Sequence, residues 1–194
     1  GFESFLKIYP SYKGNIYTTS RLTGTVGPLA WLYYTTKDPR HKKVLYDTVN
    51  ELKTVRHSKG GYLEWVFNGE VPKPNVGDEG SMLVENGNPI VDNLYVVNWL
   101  PLGFIQAYFC TGDPYFYDLW KDITKYFIHM QIYSHDPLID GTWPRSSDME
   151  KTEVYAIPND IGWGPWSIES GWTMGPVCAG ILIGLCAEKL KSLF

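Results

Sequence analysis

Apolar positions recur at helical spacing in two stretches of the chain, and the same tetrapeptide pattern interrupts both. Residues 30–39 read AWLYYTTKDP and residues 105–114 read IQAYFCTGDP, each an apolar run closed by Thr-x-Asp-Pro. A second amphipathic run follows each break. In His41–Arg56 the apolar stripe is Val44, Leu45, Thr48, Val49 and Leu52; in Tyr115–Tyr133 it is Leu119, Trp120, Ile123, Phe127 and Met130. This spacing predicts amphipathic helices. The break has a physical cause. The residue before proline is pushed out of the helical region, which ends the first helix. The aspartate then caps a second helix whose first turn accommodates the proline. Two helix–turn–helix hairpins are therefore predicted.

A third apolar run, from about Ile168 to Phe194, predicts another helix with Ser167 as its cap, and Gly1–Tyr9 reads as a short helix. The connections between hairpins are long and rich in Gly, Pro and Asn. Glu64-Trp65 is expected on a short strand or extended loop, and strand content is expected to be low. The prediction is an all-α chain of helical hairpins, one domain over residues 1–194, with long loops gathered at one end of the helices. One hairpin cannot bury its own apolar face, so repeated hairpins stack into a ring or a solenoid.

Composition sharpens the picture in two places. The net charge of −4 disfavours nucleic acid as a partner, since such a partner requires a basic face. The run Arg40-His41-Lys42-Lys43 reads as the solvated side of a helix. No apolar stretch is long enough to span a membrane. Cys110, Cys178 and Cys186 have neither zinc-site nor redox spacing and read as small hydrophobes rather than a disulfide framework. His57, His129 and His135 lack metal-ligand spacing, and phosphate-cradling glycine loops and a Gly-x-Ser-x-Gly elbow are missing. No metal or cofactor is expected, and the compartment is left open.

Candidate chemistry concentrates between Asp140 and Trp172. Four of the eight tryptophans fall there, Trp143, Trp163, Trp166 and Trp172, among Arg145, Asp148, Asp160 and Glu169. Long irregular loops in compact domains are commonly functional. Indole faces beside carboxylates suit sugar rings, whose C–H groups stack while the acids handle hydroxyls or protons. The four tryptophans and Arg145 are expected to bind substrate, Arg145 by a bidentate grip on a carboxylate or else as an ion-pair partner. Asp148 and Asp160 are expected as a second acid near the first, or as turn-bonding residues. Glu169 is also expected to bind substrate; its structural alternative is the first turn of the last helix, where the dipole favours an acid.

The segment IVDNLYVVNWLPLGFIQAYFCTGDPYFYD, Ile90–Asp118, resembles the unsaturated uronyl hydrolases, six-hairpin (α/α) toroid glycosidases. Asp92, Asn93 and Leu94 match the aspartate that precedes an apolar helix in that family, and Thr111, Gly112 and Asp113 match the turn that follows. Trp163–Trp172, followed by Met174–Leu185, resembles its tryptophan loop and next inner helix, although Ser167-Ile168-Glu169-Ser170-Gly171-Trp172 stands where the family carries Arg-Gly-Asn-Gly-Trp. The resemblance implies about half of an (α/α)6 barrel, its C-terminal part. A second copy of the chain or a missing N-terminal half would then cover the apolar edge.

The resemblance also implies a role for Asp92. It would protonate the C4=C5 double bond of an unsaturated uronide and help water add at C5. An acid of this kind must keep its proton near neutral pH, which burial beside aromatics such as Tyr95 and Trp99 favours. The structural alternative is that Asp92 caps the helix expected near Leu94. The leading expectation is a glycoside hydrolase acting on uronic-acid-containing oligosaccharides by acid/base chemistry. Competing expectations are a lyase or sugar epimerase using Tyr95 or Tyr155 as base, and a non-catalytic glycan-binding domain.

Overall fold

Both Asp-Pro breaks fold as tight helix-to-helix turns in the computed structural model, which describes residues 1–12, 22–63, 90–94, 96–155, 168–169 and 174–194. The chain runs α1 (Phe2–Ile8), α2 (Val26–Thr36), α3 (Pro39–Thr54), β1 (Ile90–Asp92), α4 (Leu100–Thr111), α5 (Pro114–Met130), β2 (Trp143–Pro144), β3 (Ser146–Asp148), β4 (Glu153–Tyr155), β5 (Ile168–Glu169), α6 (Met174–Leu185) and α7 (Ala187–Leu190). The described chain is mostly helical, as the periodicity predicts.

The two turns are built alike. Lys37 and Gly112 end their helices in the left-handed region, at φ 56° and 69°. The Thr36 and Thr111 hydroxyls each accept the N–H of the aspartate two residues on, both at 3.2 Å. Asp38 and Asp113 then accept the N–H of Arg40 and Tyr115, at 2.8 and 2.9 Å. Proline follows at the first helical position in both cases. Lys37 adopts a backbone that glycine takes more readily.

Helices α2 and α4 pack side by side, and α4 is flanked by α2, α5 and α6. The α2–α4 contact is close because small residues meet there: Gly103 in the first turn of α4 lies against Val26 and Gly27 at the start of α2. Further along, Phe194 touches Tyr34 of α2 and stacks on Phe109 of α4, with ring centroids 4.8 Å apart. The two helices thus run in the same direction. Helix α6 approaches through Gly180, where a Cβ would collide with the backbone of Pro101 and Leu102. Trp120 of α5 ties into the same place by donating Nε1–H to the Gly180 carbonyl at 2.9 Å. The outer helices α3 and α5 return antiparallel. One end of the array therefore carries the tight turns, and the other carries the starts of α2 and α4 and the ends of α3 and α5.

Two expectations are corrected. The last helix begins at Met174 rather than near Ile168; residues 168–169 form strand β5, and the helix breaks after Leu185. His41 is buried rather than solvated. It continues the inward stripe of Val44, Leu45 and Thr48, accepts or donates at Nδ1 to Thr36 Oγ1 at 2.7 Å, and meets the Phe2 ring edge-on. Two small antiparallel sheets stand at the long-loop end. One has order β1-β3-β4, and the other pairs β2 with β5. Of the thiols, Cys110 is buried, Cys178 is half-buried and Cys186 is exposed. Helix α6 buries Val177, Gly180 and Gly184 and leaves Leu182 and Leu185 exposed. Among the described residues no helix is long and apolar enough to cross a membrane. Glu64 and Trp65 lie outside the described residues.

The Asp113 carboxylate sits at the N-terminus of α5 and accepts the Tyr46 O–H at 2.5 Å. That hydrogen bond, with the Tyr115 N–H, holds Asp113 below its ordinary value of 3.8. A depressed carboxylate stabilises the fold above its unfolded value, and the contribution is lost as pH falls through the lower folded value. Asp113→Asn keeps the capping oxygen and removes the charge. It should cost roughly 0.3–1 kcal/mol at neutral pH through the helix dipole. Thermal unfolding as a function of pH should show the gap between wild type and variant closing as pH falls below the ordinary value of 3.8; a gap independent of pH would contradict this.

Candidate functional site

Strand β1 brings Asp92 to the long-loop end and pairs it with the Trp143–Asp148 segment. The register sets Ile90 opposite Asp148, Val91 opposite Ser147 and Asp92 opposite Ser146. The acid and part of the predicted loop are therefore neighbours through backbone pairing. Asp92 is fully buried. Its Oδ1 accepts the Leu94 N–H at 2.7 Å, closing an Asx turn. The helix it was expected to cap starts only at Leu100, with Trp99 at its N-cap, so the capping role is confined to this turn. The Val97 N–H donates to the Asp92 carbonyl at 3.2 Å and the Leu100 N–H to the Val97 carbonyl at 3.0 Å. These turns carry the chain from the acid to Trp99 and α4.

Arg145 is also buried, with Nη2 4.0 Å from Asp92 Oδ2. This is the ion-pair role that stood beside the substrate-clamp expectation. Asn93 holds the neighbourhood together. Its N–H donates to the Arg145 carbonyl at 2.7 Å, and its Nδ2 donates to the Pro144 carbonyl at 2.9 Å and to Ser147 Oγ at 3.0 Å. The Tyr126 hydroxyl of α5 donates to Asn93 Oδ1 at 2.5 Å. Burial, with the nearby Asp92 charge adding to it, pushes the Tyr126 phenol well above its ordinary range, so it stays a donor. Asn98 is fully buried, and among the described residues neither amide atom of its side chain has a hydrogen-bond partner. Such a group is unusual in a folded protein.

Other predicted residues separate from this cluster. Trp143 has 4 % of its surface exposed; it packs edge-on against Phe127 and donates Nε1–H to the Phe127 carbonyl at 2.6 Å. It offers no open indole face. Asp148 accepts the N–H groups of Glu150 and Lys151, at 2.9 and 3.0 Å, and lies 3.7 Å from the Lys151 ammonium. Its side chain closes the β3–β4 hairpin, where Thr152 takes φ 60°. Glu169 lies on β5 opposite Trp143 rather than in a helix. Asp160, Trp163, Trp166, Trp172, Ser167 and Tyr95 lie outside the described residues, as does the side chain of Tyr155.

Sequence reasoning named Trp99 only as a wall for Asp92. In the structure it is 43 % exposed and borders a cleft of about 460 Å³ with Leu102, Gly175, Pro176 and Ala179, between the starts of α4 and α6. Its position one residue before the Leu-Pro start of α4 was the available signal. His129 and His135 are exposed; burial and the Lys59 charge lower His57, which accepts the Lys59 N–H at Nδ1. Among the described residues no group of three or more His, Cys, Asp or Glu is placed to hold a metal ion. Comparison with protein-family models, curated proteins and solved structures finds no match.

Removing one partner from a buried hydrogen-bonded group costs about 1–3 kcal/mol, while a single net hydrogen bond contributes about 1 kcal/mol. Tyr126→Phe should therefore lower stability by about 1 kcal/mol, and Asn93→Ala by about 2–3 kcal/mol. Urea unfolding measures both. Equal, negligible effects would show that the cluster does not hold the strands.

Proposed function

We propose that the chain is a carbohydrate-active enzyme of the helical-toroid type, a glycoside hydrolase acting on uronic-acid-containing oligosaccharides. The observation that carries this reading is the placement of Asp92. It is fully buried, lies at the end of the array opposite the tight turns, and is joined by consecutive turns to the exposed indole of Trp99 on an open cleft. The side-by-side packing of α2, α4 and α6, with α3 and α5 outside, fits the inner and outer layers of an (α/α) ring.

In this reading Trp99 stacks a sugar ring, since an exposed aromatic face at a cleft suits the apolar side of a pyranose. Asp92 delivers its proton to C4 of the C4=C5 double bond. Water adds at C5 and returns a proton to the carboxylate. The resulting hemiketal opens and releases the sugar. Fold-level likeness leaves the reaction to be decided by the site. A second reading, glycan binding without turnover, draws on the Arg145 guanidinium. A buried carboxylate facing an arginine at 4.0 Å is also a structural ion pair.

The test is loss of ultraviolet absorbance from unsaturated uronyl disaccharides. Wild type should consume the double bond. Asp92→Asn, which keeps an oxygen for the Leu94 N–H, should slow turnover at least ~100-fold, the usual contribution of a general acid. Sugar binding with no absorbance change in either protein would favour the second reading.

A further inference from the structure

Away from Asp92, on the first hairpin and the start of α5, lysines and tyrosines form a continuous series. Lys42, Tyr46 and Lys53 follow i, i+4, i+11 spacing and share one side of α3. The Lys37 ammonium sits 4.2 Å over the Tyr34 ring and 6.0 Å from the Tyr33 ring centre, and Lys42 lies 5.5 Å from Tyr33 and 5.9 Å from Tyr46. Tyr46 and Tyr115 are nearly parallel, at 15° with centroids 6.3 Å apart, and Lys53 sits 4.4 Å over Tyr115. The series links α2, α3 and α5 across both hairpins.

The other cations of these hairpins differ. Arg40 pairs with Glu3 and Asp38, Lys43 with Asp47, Arg56 with Asp122 and Lys121 with Asp118. Lys37, Lys42 and Lys53 are exposed and, among the described residues, have no carboxylate within ion-pairing distance. Asp113, which interacts electrostatically with Lys42, is engaged by the Tyr46 hydroxyl and the Tyr115 N–H. Lys42 and Lys53 are eleven residues apart, roughly 16 Å along the helix axis. The surface is therefore long, positive, and ribbed with aromatic rings.

We propose that this ladder holds an extended glycan chain bearing carboxylates. The ammonium groups would meet the carboxylates, and the tyrosine faces would meet sugar C–H groups and hydroxyls. The chain's net charge of −4 opposes a densely charged polyphosphate, so a sparsely charged polymer is the better complement. The choice of a uronate-type polymer rests on the hydrolase reading above; the surface itself is independent of Asp92.

Binding to polygalacturonate at 50 and 200 mM salt tests it. Wild type should bind, weakening roughly twentyfold across that range, as expected when about three charges of a single-stranded polyanion are neutralised. The variant K37Q/K42Q/K53Q should bind at least tenfold more weakly with an unchanged melting temperature, and K37R/K42R/K53R should restore binding. No binding by wild type would overturn the proposal. So would equal binding by the glutamine variant, or tighter binding of single-stranded DNA than of polygalacturonate. Turnover of the short disaccharide reads Asp92 separately. Asp92→Asn should keep polymer binding, and the lysine variant should keep turnover. Polymer binding through the lysines without turnover would sink the hydrolase reading and leave the ladder standing.

Discussion

The side-chain amide of Asn93 is the joint on which the loop end depends. It bonds to Pro144, Ser147 and Tyr126, so one residue links β1, the β2–β3 corner and the end of α5. Strands of two or three residues have too few ladder bonds to persist alone. A buried amide with its donors and acceptor engaged gives them a fixed register, because every alternative leaves polar groups unpaired in the interior. The position of Asp92 follows from that register. Its carboxylate is set by the Leu94 N–H on one side and the Arg145 guanidinium on the other.

The far end of the helices obeys a different logic, entirely local. Thr-x-Asp-Pro encodes a left-handed stop, a threonine bond to the next aspartate and an aspartate cap, all within four residues. Such a turn requires no tertiary partner, which is why both hairpins were legible from residues 36–39 and 111–114 alone. The inward stripes of α3 and α5 were legible for the same reason, being periodic over four turns. His41 escaped because its neighbours Arg40, Lys42 and Lys43 masked a position that belongs to the buried stripe.

At the loop end legibility fails for a physical reason. Ser146, Ser147 and Asp148 form a buried strand although none is apolar, because backbone pairing satisfies their main chain, Asn93 donates to the Ser147 hydroxyl, and the Glu150 and Lys151 N–H groups donate to Asp148. Pairing this short has no detectable period of two. The start of the last helix was misplaced because Ile168 and Glu169 continue an apolar pattern that β2 captures instead. Trp143 turned inward because Phe127 offers both a ring edge and a carbonyl for its indole N–H. Composition marked the region as special without showing which rings pack inward. Trp99, outside the tryptophan-rich stretch, carries an exposed indole.

Amide hydrogen exchange on the intact chain tests most directly whether Asp92 sits in a fixed cluster. The Asn93 and Leu94 amides, bonded to the Arg145 carbonyl and the Asp92 carboxylate, should be protected to nearly the same degree as the core of α4, and should lose protection together in Tyr126→Phe. Exchange of those two amides at the rate of exposed turns, with the helices still protected, would contradict the account.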